Sequence, residues 1–153
     1  MLEINERAKG SMIPIATLTL PFDQRQKSRM RVILDNGNEA AVLLERGGVL
    51  RDRDLLRAAD GQIIEVRAAD EAVSTVRILN AHLISRVCYH LGNRHVPLQI
   101  GDSWLRYQKD PVLDEMVRSF GLSVQHEEAP FEPEAGAYGK QAGNHYHTHS
   151  HEY

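Results

Sequence analysis

Over residues 1–70, apolar side chains tend to recur at every second position in short runs broken by turn residues, the period of strands rather than helices. Ile13 to Leu20 (IPIATLTL) is β-branched and alternating. MRVIL and EAAVLL flank DNGN, where Asn36-Gly37 predicts a hairpin, because both residues tolerate the left-handed backbone of a tight turn. Gly47-Gly48 predicts a further turn, and Asp60-Gly61 leads into the strand QIIEVRA. Residues 51–58 fit a helical turn or an extended loop. Residues 1–70 are therefore expected to form a small all-β N-terminal domain.

The rhythm then changes. EAVSTVRI (Glu71 to Ile78) reads as a strand, and Asn80 as the cap of a helix in which Leu83, Ile84, Val87, Cys88 and Leu91 share one face until Gly92 stops it. Two short strands follow, VPLQI and SWLRYQ, joined at Gly101-Asp102. Asp110-Pro111 opens a second helix with Val112, Leu113, Met116, Val117 and Phe120 on its apolar face, Gly121 ends it, and LSVQH is a last strand. The order βαββαβ predicts an α+β chain with a ferredoxin-like domain over residues 71–126, two helices on one face of a four-stranded antiparallel sheet and the other face left for a partner or solvent. From Glu127 the periodicity is lost, so residues 127–153 are expected to be a flexible acidic linker, carrying Glu127, Glu128, Glu132 and Glu134, and a histidine-rich tail.

Composition narrows the function classes. With 42% hydrophobic and 25% charged residues the chain folds rather than staying disordered. A net charge of −3 with scattered basic residues gives no footprint for nucleic acid. The single cysteine, Cys88, excludes an internal disulfide framework and a paired-cysteine zinc site, and suits a reducing compartment. MLEINERAKG lacks the apolar run of a secretory signal, and no stretch approaches the length of a membrane span. A cytoplasmic protein with no membrane partner is expected.

Catalytic signatures are missing: there is no glycine-rich phosphate loop, no HExxH pair and no G-x-S-x-G elbow, and Cys88 on an apolar helix face reads as a small core residue. The one dense polar stretch is CYHLGNRHVPLQI. His90, near a helix C-terminus, suits the last carbonyls there. His95 lies in a loop, where binding groups are usually mounted, but one histidine supplies one ligand. On a two-fold axis two copies of His95 would meet. The chain ends NHYHTHSHEY, with His145, His147, His149 and His151 at every second position. Imidazoles so spaced can wrap nickel, zinc or copper, and the same pattern also fits a plain disordered end.

YHLGNRHVPLQIG, then LRYQKDPVLDEMVRSFGLSV, then PFEPEAGAYG and a histidine-rich end together resemble the urease accessory protein UreE family of nickel metallochaperones. The resemblance covers nearly all of the second half and the tail. It implies a homodimer formed through the ferredoxin-like domains, with His95 of the GNRH loop binding Ni(II) at the symmetric interface and tail histidines supplementing it. Zn(II) or Cu(II) would be further cations bound in vitro. Implied partners are apo-urease and the other urease accessory proteins, including the nickel-loading GTPase, with the N-terminal domain recognising them like a peptide-binding module. Some members carry further histidines after the LRY strand, but here that stretch is Gln108, Lys109, Asp110 and Pro111, so a second internal metal site is not expected. Two rivals remain: a metal buffer or sensor sequestering Ni or Zn through the tail, and a metal-dependent hydrolase using His95, His126 and a carboxylate.

Overall fold

The computed structural model describes residues 1–136, so the four histidines from His145 to His151 lie outside the described residues. Two compact units emerge, one built on Met1–Ala69 and one on Asp70–Glu134. The chain is of mixed α+β type, mostly strands with few helices.

The first unit is a six-stranded sheet in the order β2-β6-β5-β1-β4-β3, from β1 (Leu2–Arg7), β2 (Ala16–Leu20), β3 (Arg29–Ile33), β4 (Glu39–Leu43), β5 (Leu55–Ala58) and β6 (Ile63–Ala68), with one helical turn, α1 (Phe22–Arg25). Its core gathers Ile4, Leu18, Val42, Leu56, Ile64 and Val66, all fully buried. The expected hairpin joins β3 to β4: Gly37 has φ +91° and Asn36 Oδ1 accepts from the Asn38 N–H at 2.9 Å. The stretch whose conformation was open, residues 51–58, contains the strand β5. β1 is a strand that the alternation does not reveal, since Ile4 is its one buried residue, yet it lies inside the sheet, parallel to β4 and antiparallel to β5.

The second unit runs β7 (Asp70–Arg77), α2 (Ala81–Gly92), β8 (Gln99–Gly101), β9 (Trp104–Gln108), α3 (Pro111–Arg118) and β10 (Gln125–Pro130). The sheet order is β10-β7-β9-β8, with every neighbouring pair antiparallel. Both helix starts form as their sequences predict. Asn80 accepts from the Leu83 N–H, and Asp110 Oδ1 accepts from Val112 and Leu113 at 2.8 and 3.3 Å. Val87 and Leu91 of α2 and Leu113 and Val117 of α3 pack with Val76, Leu105 and Tyr107 of the sheet. Gly101 closes the short β8–β9 connection because the Trp104 ring occupies the space a Cβ would take.

Two expectations need correction. α2 continues through Gly92, and the left-handed position that ends it falls on His95. The last strand extends to Pro130 rather than giving way to a linker at Glu127, because β10 is an edge strand: it pairs with β7 over six residues while leaving its polar side chains in water. Pro130 is tolerated there since an edge strand can forgo a backbone donor. Beyond it Phe131 is fully buried, Glu132 N–H donates to Gln99 Oε1 at 3.0 Å and Glu134 N–H to the Leu98 carbonyl at 2.8 Å. Residues 131–134 therefore cross the sheet from β10 towards β8.

Candidate metal centre and its surroundings

His95 is placed by the unwinding of α2. The Asn93, Arg94 and His95 N–H groups donate to the carbonyls of Tyr89, Leu91 and Gly92, so the chain tightens by one turn and reverses at His95 with φ +57°. Histidine is among the few side chains that enter this region readily. The turn is pinned on both sides, by Leu91 (0% exposed) and Leu98 (8%). His95 itself is exposed, and its ring forms no hydrogen bond or ion pair among the described residues. The result is a free imidazole on a short, well-braced projection.

The other polar candidates are committed elsewhere. The His90 ring lies 5.5 Å from that of Phe120, and the Arg86 guanidinium sits 5.4 Å from the same ring, so His90 serves packing between α2 and the end of α3. Cys88 is half-buried. Burial, and then the Glu134 carboxylate, push its thiol pKa up, which keeps it protonated and suits the packing role. Asp110 is occupied as a helix cap, and its neighbours Gln108, Lys109 and Pro111 offer no imidazole. Among the described residues no group of three His, Cys, Asp or Glu side chains is arranged to hold a metal ion. His95 in a single chain is one ligand, not a closed site.

His126, a candidate ligand of the hydrolase reading, belongs to a polar cluster that sequence reasoning missed. Asp114 on α3 is 2% exposed. One of its oxygens accepts from Ser74 Oγ at 2.8 Å and Tyr107 Oη at 2.7 Å; the other lies 2.7 Å from His126 Nε2. Burial works to raise the Asp114 pKa, but the bonds from Tyr107, His126 and Ser74 outweigh it and the net shift is downward. The group is thus a carboxylate, and His126 Nε2–H is the donor to it. Tyr107, by contrast, has its pKa pushed up by burial and then by the bond to Asp114. The cluster ties α3 to β7, β9 and β10. A signal was present: Asp114 lies on the arc of Leu113 and Val117, where helical spacing points inward.

The lowered pKa sets an acid limit. Asp114 contributes its full stabilisation above the ordinary carboxylate value of 3.8, and the contribution disappears as pH falls through the lower value in the fold. Thermal melting of the parent and Asp114→Asn proteins should show a gap that is constant near neutrality and narrows below about pH 4. A gap unchanged down to pH 2.5 would contradict the assignment.

The chain matches two family models in tandem: residues 3–69 match the UreE urease accessory protein N-terminal domain, and residues 71–153 the C-terminal domain. It is similar along nearly its whole length to known proteins. A urease accessory protein UreE of Alkalilimnicola ehrlichii is 57% identical over 91% of this chain and 85% of its own. The UreE of Citrobacter koseri is 51% identical over 99% and 100%, and that of Escherichia coli O157:H7 is 50% identical over the same shares.

Proposed function

We propose, since this chain belongs to the urease accessory protein UreE family and so serves urease maturation as an accessory protein rather than an enzyme, that it carries Ni(II) to apo-urease. The observation that supports this reading is the exposed, unpaired imidazole of His95 on its braced turn. Two such turns meeting on the axis of a homodimer would supply two ligands, with His145, His147, His149 and His151 completing the coordination. Nickel accepts imidazole, carboxylate and water, and ligands of this kind also take Zn(II) and Cu(II). A carrier must give up its cargo. Affinity near micromolar, about −8 kcal/mol, permits that, whereas a closed site of four fixed ligands would trap the ion.

The second unit, with its βαββαβ order, is read as a ferredoxin-like dimerisation and metal-binding domain, and the first as the surface that recognises apo-urease and the other accessory proteins, including the nickel-loading GTPase. The setting for this exchange would be the cytoplasm. No helix among the described residues is long and apolar enough to cross a membrane.

Isothermal titration of nickel into the full chain and into a chain ending at Gly143 separates this reading from a tail-only metal buffer. The carrier reading expects one site per dimer to survive truncation, with weaker affinity. Complete loss of binding would favour the buffer.

A further inference from the structure

We infer that residues 131–134 are a strap that fixes where the histidine tail leaves the domain, and that Gln99 and the Glu134 backbone are its positioning residues. The inference rests on the reading above, in which tail histidines complete the His95 site.

Gln99, Arg106 and Thr75 are register partners across β8, β9 and β7, so they form one row of side chains. This row lies on the face opposite Leu105 and Tyr107, whose side chains join the helical core. Arg106 Nη1 donates to the Pro130 carbonyl at 3.1 Å, holding the near end of the strap, while Nε bonds Thr75 Oγ1 at 2.9 Å. At the far end Gln99 Oε1 accepts from the Glu132 N–H and the Leu98 carbonyl from the Glu134 N–H. Residues 131–134 thus run from the β10 edge to the residue before β8, pinned at both ends.

Its direction matters. Leu98 is three residues from His95, at most about 11 Å along the chain. Without the strap the tail would depart from Pro130, at the opposite edge. With it, ten residues lie between the fixed Glu134 and His145, a covalent reach of no more than about 40 Å. Shortening the tether and moving its origin raise the effective concentration of tail imidazoles at the His95 turn, with no added ligand.

The test combines Glu134→Pro, which deletes the donor to Leu98, with Gln99→Leu, which deletes the acceptor for Glu132. Glu134→Ala, which keeps the N–H, is the control. Each is titrated with nickel in the full chain and in the chain ending at Gly143. The double variant should bind nickel roughly threefold to fivefold more weakly than the parent in the full chain, from the longer tether and displaced origin. It should match its parent when truncated, and the alanine control should be unchanged in both. Equal weakening in both backgrounds would mean a merely structural role and would overturn the inference. So would an unaffected double variant if a Gly/Ser insertion of about twenty residues after Gly136 does weaken binding; the tail reading would then stand without the strap. If truncation leaves nickel affinity unchanged, both fall. Should the double variant not fold, amide exchange of Glu132 and Glu134 in the parent decides: protection supports the strap, and exchange at the open-chain rate overturns it.

Discussion

Nickel titrated into the His95→Ala and His95→Asn proteins is expected to find no tail-independent site, and in the full chain to bind about a hundredfold or more weakly than in the parent. In the homodimer proposed above two imidazoles would disappear together, and a tenfold loss for each corresponds to ~2.7 kcal/mol in total. The asparagine variant matters because of the backbone. At φ +57° a side chain must tolerate the left-handed region, and asparagine does so as readily as histidine, so any loss it shares with alanine belongs to the imidazole rather than to a distorted turn. Folding should be untouched, since the ring is exposed and makes no hydrogen bond among the described residues. Titration of both variants in the chain ending at Gly143 is the decisive measurement. If either binds one nickel per dimer as the truncated parent does, His95 is not the anchor.

The second large effect falls on stability. Asp114→Ala should lower the unfolding free energy of the second unit by about 3–5 kcal/mol, the usual consequence of removing one partner from a buried charged cluster. The carboxylate accepts from Ser74, Tyr107 and His126, and its loss leaves two buried hydroxyls without their acceptor while opening a gap beneath α3. Tyr107→Phe should cost only about 1 kcal/mol, because Asp114 keeps its other two donors. Urea unfolding, followed by a probe in the second unit and at fixed protein concentration, reads both. A loss under 1 kcal/mol for Asp114→Ala would show that the cluster is dispensable.

These two residues mark what a sequence can disclose. The turn at Asn36-Gly37 and the caps at Asn80 and Asp110 are local events, in which a side chain meets backbone two or three residues away, and they were legible as such. His95 stood out by residue type and loop position. Its backbone conformation did not, because a glycine three residues earlier offered itself for the left-handed turn. Asp114 was hidden because a carboxylate on a helix normally faces water, and its partners lie 40, 7 and 12 residues away. The outer part of β10, from Glu127 to Pro130, and the strap were illegible for a related reason, although a last strand is legible up to His126. An edge strand buries little, so its polar string of Gln125 to Glu128 carries no alternation, and the hydrogen bonds that hold residues 131–134 reach back more than thirty residues to Leu98 and Gln99.

The position of β1 has a consequence for the order in which the first unit can assemble. Leu2 to Arg7 pair with β4 on one side and β5 on the other, so this strand is enclosed within the sheet only when β5, which ends at Ala58, has joined it. Closing such a distant pairing costs loop entropy before it returns any contact. The hairpin of β3 and β4 has no such wait. The first unit is therefore knit together through β1, whose two partners come from separate stretches of the chain, and closing it completes the sheet.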